Sequence, residues 1–273
     1  MKQFKGILAT SHVDAHNEIM PVETLEAMVN QINQQYIPMG IEHDPRIPPK
    51  GRLVSAKVVP LEDGEYGVEG IGEIFEPGDS YELKNDGREI PVHAIDDDKL
   101  HIQFDRNYRD EEDQEAITAI GELFDSKPQE ELKKSIDPIS ILTLSGAFVL
   151  GGIANGFFGK IGSDAYDYLK GKITGLLNRK NAIQDKHEAL LVFSFWVTTG
   201  PQGFEVEIIL TNPSPEEIEH FLEVGMHQVD QFVSQYYSQY LGIRRMTYKY
   251  ESNTLAIMHV VRKDAVPMFP KEN

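Results

Sequence analysis

A histidine beside an acid is the pair in this sequence best suited to catalysis. His43 and Asp44 precede a turn rich in proline, and the alternating apolar run that follows contains Ser55. A histidine can act as the general base for a serine, threonine or cysteine nucleophile. The chain has no cysteine, and Ser55 and Ser80 are the first two serines after His43. Two interpretations stay open: a serine endopeptidase with His43 as its base, or a polar side chain at the mouth of a turn.

Histidines elsewhere in the first half of the chain allow a metal site to be considered. His93 and His101 could join His43 and Asp44, because neutral imidazole and carboxylate groups suit zinc or manganese. These residues lack a short-range signature, such as two histidines four apart on one helix. We therefore expect separate surface histidines, with no metal and no other cofactor.

The elements that would hold these residues are mostly strands. Residues 2–10 alternate between apolar and polar side chains, which predicts a strand, and residues 22–36 carry apolar side chains at helical spacing. Two alternating runs, 53–59 and 66–75, are joined by an acidic turn and predict a hairpin. A further strand is expected at 99–108, before a helix with an acidic first turn. We therefore expect a mostly β first domain with helices at its rim.

Three stretches of this domain follow a known pattern in their order and spacing: "KGILATSHVDAHNEIMPVETL", "EHDPRIPPKGRLVSAKV" and "EYGVEGIGEI". Through these stretches the N-terminal third of the chain resembles the phage prohead maturation protease family, relatives of herpesvirus assemblin. The resemblance implies a barrel-like fold for a domain at 1–125. It also implies that the partners are protein chains, with phage structural proteins as one such class.

In that family the histidine of the "HD" segment pairs with a serine nucleophile on a later strand, in a pattern of the type Leu-Ser-Ile-Gly-Phe. The corresponding residues here are "LHIQF", 100–104, so His101 stands where the serine would be. Imidazole is no substitute for an attacking hydroxyl group that a second histidine activates. The resemblance therefore implies the fold of the family without its nucleophile.

A long hydrophobic segment follows at 138–159. It has no ionisable side chain over its whole length, which matches a helix that spans a bilayer. We expect a helical connector here, within a linker at 126–182 that ends in an amphipathic helix. Glycines make insertion into lipid marginal. A buried connector and a segment that enters a membrane, with contact through 138–178, both stay open.

Small residues recur four apart in the hydrophobic segment. The pairs are Ala147 with Gly151 and Gly152 with Gly156. On one helix this spacing lets two helices approach closely, as in a GxxxG contact. We expect these residues to serve self-association or packing in a membrane.

The last part of the chain, 183–273, reads as two strands, a helix and two more strands. The helix start is well marked, because Ser214 can cap it, Pro215 fits the first helical position and Glu217 completes a capping box. The order predicts a small sandwich of one helix on an antiparallel sheet. The expected fold class of the whole chain is therefore α+β.

Charge limits the partners of this chain of 273 residues. Lys and Arg number 26 against 44 Asp and Glu, a net charge of −18, which repels nucleic acid and anionic lipid. The first residues have too short an apolar run for a secretory signal, so we expect a cytoplasmic protein. Membrane association is expected only if the hydrophobic segment inserts.

Two functions follow from these observations. The first is a non-catalytic module, a pseudoenzyme on a prohead-protease-like barrel, that binds or senses protein chains and forms a homo-oligomer. Its context would be phage assembly or antiviral defence. The second is a serine endopeptidase that processes phage capsid or scaffold proteins, with His43 as base.

Overall fold

The computed structural model of the chain has two compact units. It describes residues 2–13, 19–40, 44–76, 81–91, 98–131, 139–181, 188–200 and 202–270. The first unit comprises Met1–Ile41, Ile47–Val92 and Val261–Met268, and the second comprises Glu42–Arg46, His93–Val260 and Phe269–Asn273. Both helices and sheets are present, so the expected α+β class is confirmed. The division by contacts differs from the predicted boundaries at 125 and 183.

The first unit is built on a four-stranded antiparallel sheet in the order β1-β4-β3-β2. Its elements are β1 (Lys2–Thr10), α1 (Val22–Gln34), β2 (Ile37–Met39), β3 (Gly51–Pro60) and β4 (Tyr66–Ile74). The predicted first strand, the helix and the hairpin are confirmed. The helix ends two residues early because the backbone of Gln35 is extended.

The first strand is fitted closely to its neighbour β4. Gly70 and Gly72 of β4 leave space for Leu8 and Phe4, since a β-carbon at either glycine would overlap these side chains. A slip by one residue would turn each side chain to the other face of the sheet. The glycines therefore help to fix the register of β1.

A buried ionic cluster joins the C-terminal segment of this unit to its sheet. Arg52 of β3 is almost fully buried and donates from Nε to Glu73 Oε2 of β4 at 2.8 Å. Its guanidinium group also donates to the backbone oxygen of Asp264, and it lies 4.5 Å from the ring centroid of Tyr36. Arg262 donates to the Asp264 carboxylate at 2.8 and 3.0 Å. Each buried charge in this cluster has a partner of opposite sign.

The second unit contains a larger mixed sheet whose strands lie in the order β11-β10-β9-β8-β7-β5-β6. Its elements, with the short final strand of the chain, are β5 (Leu100–Asp105), α2 (Glu111–Leu123), β6 (Gln129–Glu131), β7 (Ile139–Val149), α3 (Ile153–Ile161), α4 (Ser163–Asn181), β8 (Glu188–Thr199), β9 (Gln202–Thr211), α5 (Pro215–His220), α6 (Met226–Tyr237), β10 (Ile243–Glu251), β11 (Thr254–Arg262) and β12 (Pro267–Met268). A π-helical turn, Phe221–Gly225, joins α5 to α6.

Helices connect parallel strands in this sheet. The pair α3 and α4 joins β7 to β8, and α5 with α6 joins β9 to β10; both strand pairs are parallel. A helical crossover returns the chain to the end of the sheet from which it left, so the next strand runs in the same direction. The order β-β-α-β-β is confirmed, but the expected antiparallel sheet is wrong at β9 and β10.

The hydrophobic segment at 138–159 is a strand and a short helix, and the predicted helical connector is wrong. Nearly every residue of β7 is buried, because the strand lies inside the sheet and is covered on both faces. Such strands read as continuous apolar runs without alternation, like a buried helix. In the described residues the structure contains no helix that is both long and apolar enough to span a membrane.

The four small residues of this segment do not share a helix face. Ala147 lies on β7, Gly151 forms a turn with φ of +83°, and Gly152 precedes α3. Gly156 lies under the ring of Phe148, where a β-carbon would come within 2.6 Å of Cδ1. The expected GxxxG contact is therefore wrong, because the small residues serve a turn and packing within the chain.

Two helix starts in the second unit are fixed by side chains. The predicted capping box is confirmed: Ser214 Oγ accepts from the Glu217 backbone at 3.2 Å, and Glu217 accepts from the Ser214 backbone at 3.1 Å. At the start of α3, Asp230 of α6 accepts from the backbone of Ile153 at 3.0 Å and Ala154 at 3.2 Å. An acid there satisfies free N–H groups and favours the helix dipole.

Candidate functional site

The residues expected to carry catalysis are not brought together in the described part of the chain. His43, Ser80 and His93 lie outside the described residues. Ser55 lies on β3 opposite Ile71 of β4, and its hydroxyl has no hydrogen bond to a described histidine. The predicted serine endopeptidase site therefore stays a prediction.

The neighbours of these residues have structural partners. Asp44 accepts from Arg46 Nε at 2.9 Å and Nη2 at 2.7 Å, and Arg46 also bonds Glu188 at 2.6 Å. His101 lies on β5, opposite Ser145 of β7. Among the described residues, no three histidine or acidic side chains lie close enough to hold a metal ion.

The outer edge of β1 forms one end of the four-stranded sheet. As the first strand in the order of the sheet, β1 pairs with β4 on one side only. On its other side, no described strand pairs with Lys2–Thr10. An edge strand of nine residues offers a row of N–H and C=O groups to another chain.

The opposite side of the same sheet is closed by side chains. The strand β2 covers only the start of β3, Gly51 to Leu53. Beyond it, Arg88 Nη1 donates to the Val54 oxygen at 2.6 Å. Asn33 of α1 accepts from the Ala56 nitrogen at 2.9 Å and donates to its oxygen at 3.0 Å, as a neighbouring strand would. Among the described residues, side chains therefore cap the outer side of β3, whereas the outer side of β1 has no partner strand.

The face of the sheet beside the open edge is apolar with balanced charges. Ile7 of β1 is 49% exposed, and Ile71 of β4 is 37% exposed. Glu69 lies between them and contacts the ammonium groups of Lys5 at 3.0 Å and Lys57 at 3.2 Å. The Lys5 hydrogen bond is the main cause that lowers the pKa of Glu69. A lysine on an edge strand commonly discourages another strand from pairing. Because Glu69 neutralises its charge, Lys5 opposes such pairing only weakly.

An open pocket of about 420 Å³ lies beyond the last residue of β1. Val13 and Ile19 contribute exposed apolar walls, at 56% and 65% exposure. Its floor is polar, because the buried Ser11 hydroxyl donates to Glu65. The remaining lining residues are His12, Met20, Pro21, Val22, Gly64 and Tyr66.

His12, which lines this pocket, pairs with an acid that is not a lining residue. His12 Nε2 and Asp63 Oδ2 lie 2.6 Å apart, within hydrogen-bond distance. The hydrogen bond with His12 is the main cause that lowers the pKa of Asp63. The pocket therefore combines apolar walls with a polar histidine–acid pair.

The second unit holds another group of polar side chains, here called the polar row. Five residues lie directly opposite one another on adjacent strands of the sheet: His101, Ser145, Ser194, Glu207 and Thr247. The aromatic residues of α3 and the π-helical turn pack on the other face, against β8 and β10. Side chains of the polar row are largely buried, so it is a layer within the fold.

Acids at the polar row are incompletely neutralised. Burial raises the pKa of Glu207 to about 7, more than the charge of Arg245 lowers it. Arg245 Nε lies 2.8 Å from Glu205 and 3.5 Å from Glu207. Thr247 donates to Glu207 at 3.2 Å, and Ser194 donates to Glu205 at 2.9 Å. Glu207 can therefore gain or lose a proton near neutral pH.

Sequence reasoning missed both the open edge and the polar row. The strand "FEVEIIL" carries Glu205 and Glu207 at alternating positions, which is a visible signal for acids on one face of a strand. For the open edge the sequence has no comparable signal, because the order of strands makes β1 an edge. The pocket combines residues from two separate stretches of the chain, 11–22 and 64–66.

The chain was compared with known proteins at three levels. No protein-family model, curated protein or solved structure matches it. The resemblance to prohead maturation proteases therefore stays a prediction from the quoted motifs.

Proposed function

We propose that this protein is a non-catalytic protein-binding module that adds an extended segment of a protein chain to the edge of its first sheet. One observation carries the proposal. In the described part of the chain no strand pairs with the outer side of β1, whereas Asn33 and Arg88 cap the corresponding side of β3. A sheet that closes one edge with specific side chains and leaves the other open is suited to strand addition.

The energetics of strand addition fit the composition of β1. Main-chain hydrogen bonds supply affinity in this mode, and side chains at alternate positions supply specificity. Lys5 and Ile7 lie on the same face, and Glu69 already neutralises Lys5. An added strand would cover Ile7 without leaving an unpaired ammonium group out of water.

The pocket beyond β1 would add selectivity. A segment that runs past the end of the strand reaches apolar walls formed by Val13 and Ile19 and a rim with His12 and Asp63. We expect a side chain with an apolar body and a polar end there. The resemblance to prohead proteases supports protein chains as the partner class, with phage assembly or antiviral defence as the context.

Linear peptides displayed as a random library test this proposal. Immobilised full-length protein should enrich peptides that then bind in fluorescence anisotropy and slow amide exchange in β1. Adjacent residues of an edge strand direct their N–H groups to opposite sides. One of Lys5→Pro and Gly6→Pro therefore removes an outward N–H while it leaves the pairing with β4 intact.

The outward proline variant should keep the native circular dichroism spectrum and lose peptide affinity at least tenfold. Ile71→Thr on the inner strand β4 is the control and should bind as the unaltered protein does, because it adds no charge opposite Lys5. Failure to enrich any peptide would overturn the proposal. Equal binding by both proline variants, if folded, would overturn it as well.

A further inference from the structure

We infer that the pocket beyond β1 binds an arginine or lysine side chain of the partner segment. This inference rests on the proposed function, since it names the class of segment: one with a basic residue outside the stretch that pairs with β1. Three features of the pocket carry it, namely an exposed aliphatic pair, an exposed aromatic ring and a carboxylate group held in place. Each feature matches one part of a long basic side chain.

The aliphatic pair consists of Val13 and Ile19. These residues form an isolated antiparallel bridge, so their side chains lie next to each other, 56% and 65% exposed. Lysine and arginine have a hydrocarbon stem that packs on apolar surface while the charged end stays in contact with water. Because the pocket is open to solvent, such a side chain would cover the aliphatic pair without the cost of burying its charge.

The aromatic ring belongs to Tyr66, the first residue of β4, which is 42% exposed. A guanidinium or ammonium group over the face of an aromatic ring is attracted to it. The first unit contains this contact elsewhere, since Arg52 and Arg88 lie 4.5 and 4.4 Å from the ring centroid of Tyr36. Among the described residues no cation lies over the Tyr66 ring, so its face is available to a cation of the partner segment.

The carboxylate group is that of Glu65, directly before β4. The buried Ser11 hydroxyl donates to Glu65 and accepts from the Tyr66 backbone nitrogen at 2.9 Å. These two hydrogen bonds fix the carboxylate beside the ring before any ligand arrives. A group that is already in place loses less conformational entropy when it binds.

The charge of Glu65 also lacks a partner of opposite sign in the described part of the chain. The two acids within β4 have such partners: Glu69 contacts Lys5 at 3.0 Å, and Glu73 contacts Arg52 at 2.7 Å. The described side-chain partner of Glu65 is instead a neutral hydroxyl group. A cation of the partner segment would supply the missing charge.

An anionic side chain would be repelled from the same pocket. His12 lines the pocket, but its Nε2 atom already lies 2.6 Å from the Asp63 carboxylate. Glu62 and Asp63 belong to the same turn as Glu65, and the whole chain has a net charge of −18. Complementary charge therefore favours a basic segment over an acidic one.

The displayed peptides that bind the full-length protein test the inference. The enriched sequences should share an arginine or lysine at one position. Glu65→Gln keeps an acceptor for the Ser11 hydroxyl and removes the charge, so it should weaken an enriched peptide roughly fivefold in fluorescence anisotropy at low salt. Glutamine in place of the basic residue of the peptide should cause a similar loss, and the two changes together should add little further.

Glu62→Gln is the matched control, because it removes the same charge from an exposed acid of the same turn that does not line the pocket. It should bind as the unaltered protein does. Equal losses in Glu62→Gln and Glu65→Gln would overturn the inference, as would enriched peptides without a shared basic residue. If those peptides still slow amide exchange in β1, only the occupant of the pocket is wrong; if no peptide is enriched, the proposed function fails and the inference with it.

Discussion

Both units bury charged side chains, yet the two clusters are balanced differently. In the first unit burial tends to raise the pKa of Glu73, but the hydrogen bond and charge of Arg52 outweigh it, and the pKa is lowered. In the second unit burial of Glu207 outweighs the charge of Arg245, and the pKa rises to about 7. A buried acid that has an arginine of its own stays charged, because the arginine offsets the cost of burial. Where two acids share one arginine, one of them can bind a proton near neutral pH.

The two units should therefore respond differently to the loss of a side chain and to a change of pH. The cluster of Arg52 should depend on the presence of every partner and little on pH near neutrality. The polar row should respond to pH while it tolerates loss of a single hydroxyl group. The single tryptophan of the chain, Trp196, lies on β8 of the second unit, so its fluorescence reports that unit.

Loss of Arg52 should have the largest effect. Arg52→Met leaves Glu73 buried with only the partly exposed Lys84, while Asp264 keeps Arg262, and breaking a buried pair in this way costs roughly 3–5 kcal/mol. Hydrogen exchange of β3 and β4 should accelerate accordingly. Lys57→Met on the same strand is the control, since its ion pair is exposed and should cost under about 1 kcal/mol. Equal losses would remove the distinction between the two kinds of pair.

Replacement of Glu207 by an uncharged residue should change how the stability of the second unit depends on pH. Between pH 4.5 and about 7 the folded Glu207 holds a proton that the unfolded chain releases, so its contribution to stability falls as pH rises. The slope of this contribution is at most about 1.4 kcal/mol per pH unit. In Glu207→Gln, urea midpoints followed by Trp196 fluorescence should therefore rise with pH relative to the unaltered protein.

Replacement of His259 should change the dependence of the urea midpoint on pH in the opposite direction. Burial first, and the charge of Arg245 second, lower the pKa of His259 to about 4 from 6.5. Between these values the unfolded chain binds a proton that the folded one does not, so this contribution rises with pH. In His259→Asn the midpoints should fall with pH relative to the unaltered protein. Parallel profiles in the two variants would contradict the assigned groups.

Loss of one hydroxyl group at the polar row should have the smallest effect. Thr247→Val removes the hydrogen bond to Glu207 and should cost about 1 kcal/mol, seen as a lower urea midpoint. Because this bond lowers the pKa of Glu207, its loss should also move the titration of Glu207 upward. Thr254→Val at an exposed position should leave both quantities unchanged. A loss as large as that of Arg52→Met would show that the polar row is as tightly balanced as the first cluster.

Local signals predicted several elements well. The Ser214 cap depends on atoms within three residues, and the structure confirms it. Alternation in the first strand and the hairpin also needed only neighbouring residues. The helix predicted at 138–159 was wrong, since a strand buried on both faces loses the alternation that distinguishes it from a buried helix.

The candidate site was less predictable. The sequence pointed to His43 and Ser80, which lie outside the described residues, and to Ser55, which has no described histidine partner. The open edge depends on which strands flank β4. Strand order is set by contacts far apart in the chain, so no local pattern identifies an edge.

By itself the sequence determined the class of the fold, the position of most strands and helices, and the acidic net charge. These properties follow from side-chain period, capping and net charge, which are local or additive. Only the tertiary structure decided that β1 is an open edge, that Arg52 bonds a residue 212 positions away, and that Glu207 is buried beside a shared arginine. Strand neighbours, ion-pair partners and burial arise from the packing of distant segments, and they determine both which strand lies at the edge of the sheet and which buried groups can exchange protons.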